Sequence, residues 1–376
     1  MRRLHLFFPE NDLALAHNLE NYTPPVAAAR LRHSGECLPL WYGEPGDRFV
    51  ATGVNARWLG GILAAFGNDI DVFDYRPDAY IPAPWGWSPA SRRVFKDLGF
   101  ETHRLPSDAS LAHMRELSSR RTSIALRKRL GELLPHARLT PAAVECADIG
   151  QVERYLASVP SAVVKLPWSS SGRGITTIEG GANSRLNEIA GMIRRQGYVV
   201  CEPRLDRRSD FAFLFDMRGG RAEYAGLSLF RTESTGAYAG NILAPQEEIA
   251  ARLVGECDAD TFRALPEAMA AALEEIVGAD YEGPLGIDMM TLEGDPRLAL
   301  CELNLRMTMG HVCLRLYRKY FAPGTTGTFR IYYPRASAPA EIPAPVVADR
   351  RLCGGTLQLN PPGSDFVFLA AVDSPQ

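Results

Sequence analysis

Short apolar runs broken by proline- and glycine-bearing turns set the rhythm of the first part of the chain. Leu4–Phe8 predicts a strand that ends in the polar loop Pro9-Glu10-Asn11-Asp12. Pro24-Pro25 opens an alanine-rich helix to about His33, stopped by Gly35. Cys37–Tyr42 predicts a second strand, Trp58–Phe66 a helix, and Asp71–Tyr75 a third short strand. A Pro/Trp loop over Tyr80–Trp87 precedes a helix over Ser88–Leu98, which leads to Phe100–Leu105. Strands alternating with helices predict a parallel, Rossmann-like α/β unit over residues 1–113. No glycine fingerprint follows the first strand, which excludes a standard dinucleotide site.

The pattern then changes. Met114–Leu134 reads as helical and basic. Ala162–Leu166 and Ile175–Ile178 predict strands around a Ser/Gly loop, with a helix over Ser184–Gln196. Tyr198–Glu202, Phe211–Phe215 and Ala222–Phe230 predict strands, and Pro266–Val277 a helix. Two apolar-rich runs between Gly286 and Arg306 flank Glu293-Gly294-Asp295-Pro296 and predict a β-hairpin. Beyond Tyr320 come Thr328–Tyr333, a Pro/Ala linker at Ala336–Pro345, and a terminal hairpin of Thr356–Leu359 with Phe366–Ala371.

The Gly286–Arg306 hairpin carries the densest chemistry. Glu302, Asn304 and Arg306 alternate along its second strand and share one face. If the hairpin closes around its turn, Asp288 of the first strand lies near Glu302. Two carboxylates and a carboxamide suit Mg²⁺ that also holds substrate phosphates. A solvated polar face is the plain alternative. The apolar flanks Ile287, Met289, Leu300, Leu303 and Leu305 argue for buried strands, and a buried carboxylate needs a partner.

Composition sharpens one more position. Only four of the 41 basic residues are lysines, and one of them, Lys165, ends a strand just before Ser169-Ser170-Ser171-Gly172-Arg173-Gly174. Backbone N–H groups of such a loop can wrap phosphate oxygens, with the lysine neutralising them. The spacing is not that of a Walker A loop, and the motif alone reads first as a hairpin turn with an incidental lysine. The run Cys201-Glu202-Pro203-Arg204-Leu205 ends a strand in an acid and a proline, and Asp210 follows. Each of these alone is an ordinary surface charge.

In this order the pieces resemble the ATP-grasp superfamily: a lysine before a Ser/Gly loop, an acid-ending linker strand, and D-x13-E-x-N-x-R. The resemblance runs from about Met114 to Arg315, and the α/β unit ahead of it resembles a pre-ATP-grasp domain. It implies a two-lobed α+β fold, with lobes at 114–196 and 197–320 and a C-terminal extension at 321–376. It implies ATP with one or two Mg²⁺ (or Mn²⁺) held by Asp288, Glu302 and Asn304. Lys165 would touch the α/β-phosphates, and Ser169 to Gly174 would form the lid loop. Cys201, Glu202 and Leu205 would bind adenine, Asp210 the ribose, and Arg306 the transferring phosphoryl group. The superfamily carries a further basic residue upstream of the loop lysine; Arg121 falls nearest, with Lys128 as the only lysine there.

Charge and cysteines bound the rest. A net charge of −3 gives no basic field for nucleic acid. The seven cysteines form no C-x-x-C pair and read as buried thiols of a reducing compartment. The first apolar run is too short for a signal peptide or a membrane span, so a cytoplasmic protein is expected. The resemblance implies an ATP-dependent carboxylate–amine (or carboxylate–thiol) ligase acting on small molecules through an acyl phosphate. A small-molecule kinase, or a nucleotide-binding protein without turnover, stays open beside it. So does a homo-oligomer.

Overall fold

The computed structural model describes residues 2–169, 174–179, 185–233, 237–339 and 341–373. The expected lid residues Ser170, Ser171 and Gly172 lie outside the described residues.

Three main sheets organise the chain. The first is parallel, in the order Asp71–Val72, Arg48–Phe49, Arg3–Leu6, Ile81–Pro84. Two readings of this region need correction. Cys37–Tyr42 is not a strand: Pro39–Tyr42 makes one buried helical turn, because Pro39 has no N–H for a ladder and fits the first turn of a helix. Conversely, Ile81–Pro84 lies within the expected loop yet pairs with Arg3–Leu6. As an edge strand it tolerates Pro82 and Pro84. The expected loop after the first strand also turns at once into a helix, Asn11–His17.

The second sheet is antiparallel, in the order Val144–Cys146, Val199–Pro203, Ser161–Lys165, Ile175–Glu179. Val164, Ile178 and Val199 pack on Val152, Ile189 and Met192 of the helices Ile149–Leu156 and Leu186–Gln196.

The third sheet has eight antiparallel strands and is the largest body of the molecule. From one edge it runs Asp295–Asn304, Gly283–Leu292, Arg207–Arg218, Arg221–Thr232, Tyr238–Leu243, Gly327–Tyr332, Val367–Val372, Thr356–Gln358. Phe211, Phe213 and Phe215 face the helices Arg120–Leu133 and Ala259–Ile276, while Ala212 and Leu214 meet Leu314 of Met309–Tyr320 on the other face. With helices on both faces, this strand is a continuous apolar run rather than an alternating one. After Tyr320, Gly327–Tyr332, Thr356–Gln358 and Val367–Val372 extend this same sheet, with the terminal hairpin formed within it, while Val346–Ala348 and Arg351–Gly354 pair as a separate ribbon. Trp41 donates to the Leu359 carbonyl at 2.8 Å, which ties that end back to the parallel unit.

The basic stretch Met114–Leu134 is two helices, Asp108–Leu117 and Arg120–Leu133; the Ser107 hydroxyl caps the first by accepting from the Ser110 N–H. Among the described residues no helix is long and apolar enough to cross a membrane.

Candidate functional site

The predicted hairpin forms, and its irregularities matter more than its turn. It closes over Glu293-Gly294, where Gly294 takes φ +67°, with Leu292 opposite Asp295. Continued without interruption, that register would set Asp288 opposite Ala299. Two register shifts, one between Thr291 and Leu292 and one between Asp288 and Met289, bring Glu302 opposite Asp288 instead. Bulges of this kind re-aim side chains. Here the extra residue, Cys301, lines the cleft together with Leu300.

Asp288, Glu302, Asn304 and Arg306 are thereby brought together. Asn304 Nδ2 donates to Asp288 Oδ2 at 2.9 Å, and Arg306 donates to Asn304 Oδ1 at 2.8 Å. Burial, then the neighbouring Glu302 charge, pushes the Asp288 carboxyl up to about 7. A cation at this point would favour its ionised form. Among the described residues no three acidic, histidine or cysteine side chains are grouped closely enough to hold a metal unaided. The donor set fits a magnesium ion whose remaining ligands are phosphate oxygens and water. Asn304 turns its nitrogen, not its oxygen, toward Asp288, so ligation by Asn304 requires the carboxamide to rotate.

The opposite wall of the cleft comes from the small antiparallel sheet. Lys165 is the last residue of its strand, 7% exposed, and makes an ion pair with Glu202 of the neighbouring strand. Lys165 lies opposite Val200 and Glu202 opposite Val163, so the pair runs diagonally across one face. Cys201, between them, is wholly buried, and Leu205 sits half-buried in the link to the large sheet. Ser169 is buried against Arg120 at 3.3 Å. Gly174 has φ +68°, and a Cβ there would meet Leu166 at 2.7 Å. Asp210 accepts hydrogen bonds from Thr232 at 2.7 Å and Arg207 at 2.8 Å, and burial raises its pKa. It lies opposite Met290 on the strand that carries Asp288.

One assignment is corrected. Arg121 does not line the cleft: its guanidinium pairs with Glu145 through two 2.7 Å hydrogen bonds and lies over the Tyr198 ring. Its neighbour Arg120 lines the cleft instead, buried, 3.1 Å from Glu302 and donating to the Leu166 carbonyl at 2.9 Å. Arg120, Ser123, Ile124 and Arg127 all line the same wall. Their i, i+3, i+4, i+7 spacing was the signal in the sequence, since it puts Arg121 on another face of the helix.

The segment Pro9-Glu10-Asn11-Asp12, a candidate for substrate contact because it follows the first parallel strand, contributes Asp12, which clasps Arg306 with three contacts of 2.7–2.9 Å. The α/β unit therefore closes the far end of the cleft. Among the described residues, three cations of the site are each paired with an acid: Lys165 with Glu202, Arg120 with Glu302, and Arg306 with Asp12.

No protein-family model matches the chain, and no curated protein matches it by sequence. Solved structures do. A biotin carboxylase–β,γ-ATP complex from Campylobacter jejuni superposes with TM-score 0.55 at 11% identity, covering 100% of this chain and 88% of that one. An N5-carboxyaminoimidazole ribonucleotide synthetase from Thermus thermophilus gives 0.52 at 14% identity, covering 99% of this chain and 94% of that one. At such identities the likeness concerns architecture. The chain has the ATP-grasp fold, two antiparallel sheets gripping a cleft behind an N-terminal α/β unit.

Proposed function

We propose that the protein is an ATP-dependent carboxylate–amine (or carboxylate–thiol) ligase that works through an acyl phosphate and releases ADP and phosphate. One observation carries the reading: Lys165, Arg120 and Glu202 line one cleft, and a chain of contacts runs on from Arg120 to Glu302, which lies opposite Asp288, and from Asp288 through Asn304 to Arg306. A structural neighbour described as a β,γ-ATP complex supports a nucleotide there.

Bound ATP with Mg²⁺ would supply the activated phosphoryl group. The chain's own contribution is charge and position, which is what phosphoryl transfer demands of a protein. The ion pairs of the cleft can exchange partners. Glu202, on taking the adenine amino group, would release Lys165 to the phosphates. Glu302, on taking the metal, would release Arg120 to the same phosphates. Arg306 would then face the carboxylate that is activated. Displacement of phosphate by an amine splits one difficult condensation into two easier steps.

The test is ADP release from pools of carboxylates, with and without amine acceptors. Turnover that needs both partners is expected. Lys165→Ala, Asp288→Asn and Glu302→Gln should each abolish carboxylate-dependent ADP formation. Full activity in the Glu302 variant would sink the metal assignment, and turnover without any acceptor would make the protein a kinase.

A further inference from the structure

The Arg306–Asp12 pair sets a condition on the substrate. Resting on the reading of the Arg306 face as the reaction site, we infer that the substrate bound there is a zwitterion, a small α-amino acid. Its carboxylate would take over the Arg306 guanidinium and its ammonium group would take over Asp12.

The donors of Arg306 are already engaged. Its Nε and one terminal nitrogen go to Asp12 at 2.7–2.9 Å, the same terminal nitrogen also serves Asn304 at 2.8 Å, and the other reaches the Met307 carbonyl at 3.3 Å. The fork that would grip a carboxylate is therefore taken. The two side chains are only 16% and 13% exposed, enough to meet a ligand but too little for water to replace either partner. Taking one partner from such a pair leaves an uncompensated buried charge, which is strongly unfavourable. A purely anionic substrate would strand Asp12, and a purely cationic one would strand Arg306. A zwitterion exchanges one ion pair for two.

A second feature of the same corner points to a ligand. Asn11, beside Asp12, is wholly buried, and neither atom of its carboxamide has a hydrogen-bond partner. Such an orphan is costly in a protein interior. The amide and the Arg306 stem both lie beside Gly86: a Cβ placed there would touch Asn11 Nδ2 at 2.4 Å and Arg306 Cβ at 3.0 Å. One unused donor and one unused acceptor thus lie in the same corner as the Arg306–Asp12 pair.

Titration calorimetry of the full chain with each of the twenty common α-amino acids, without ATP, reads this subsite apart from turnover. At least one should bind, and its N-acetyl and carboxamide derivatives, each keeping one charge, should bind at least ~100-fold more weakly. Asp12→Asn should narrow the gap between the amino acid and its N-acetyl derivative, a change that general loosening of the fold does not produce. Binding by none of the amino acids, or equal binding of the N-acetyl derivative, overturns the inference. Carboxylate-dependent ADP release on a substrate without an amino group would overturn it while leaving the ligase reading intact. Amino-acid binding with no ADP release under any acceptor would do the reverse.

Discussion

Neighbouring arginines at the start of one helix differ in what their removal should do. Arg120 is buried among Glu302, Ser169 and the Leu166 carbonyl, whereas Arg121 is half-exposed on Glu145. Arg120→Ala is expected to raise the KM for ATP at least ~10-fold, the loss of one charge-assisted contact to a phosphate. Arg121→Ala should leave kcat/KM within about 2-fold and lower stability by no more than ~1 kcal/mol, as for exposed ion pairs. Steady-state kinetics on the two variants decides between the residues. A KM effect in Arg121→Ala alone would reverse the assignment. Much of the cleft was legible at this scale, because Lys165, Glu202, Asp288, Glu302, Asn304 and Arg306 sit at strand spacings that put them on common faces. Helical spacing separates Arg120 from Arg121, but which of the two faces meets the cleft depends on how the helix is rotated against its neighbours.

At the scale of elements, backbone geometry decides where side chains are tolerated. Gly240 lies inside the strand Tyr238–Leu243 with φ +146°, and a Cβ there would come within 2.1 Å of the Phe329 carbonyl oxygen. Gly240→Ala should therefore destabilise the protein by about 1–3 kcal/mol or more, read by urea denaturation. Gly60 is exposed within the helix Ala56–Phe66, with nothing within 4 Å of its Cβ position. Gly60→Ala should stabilise by roughly 0.5–1 kcal/mol. The sequence announced the hairpin by its apolar runs and Gly294. It did not announce the register shifts that set Glu302 against Asp288, because a bulge is chosen by packing around the strand rather than by its own composition. The same holds for Pro39–Tyr42, an apolar run whose length suits a strand or a helical turn until its neighbours are placed.

Over the whole molecule, acid stability and ligand linkage offer independent checks. Burial, reinforced by the Arg315 charge, holds the His311 imidazole down at about 4. A depressed folded-state pKa contributes stability that is complete above about 6.5 and is lost as pH falls through 4, on the order of 3 kcal/mol in all. A denaturant series between pH 7 and 4 should show this acid limb, and His311→Gln should flatten it. An unchanged limb in the variant would place the titrating groups elsewhere. Mg²⁺ with ATP at about 100 times its Kd should stabilise the native chain by about 2.7 kcal/mol, seen as a rise in Tm that chelator removes. Nucleotide without a metal effect would count against the hairpin as the metal face.

The sequence by itself determined the fold class, the hairpin, and the two strands that carry Lys165 and Glu202. These follow from periodicity and turn residues, which act over a few neighbours. Only the tertiary structure decided that Asp12, 294 positions from Arg306, clasps it, and that Lys165 and Arg120 already hold Glu202 and Glu302. Such contacts depend on how the α/β unit docks against the larger sheet, where burial and charge pairing act between segments with no local relation in the chain.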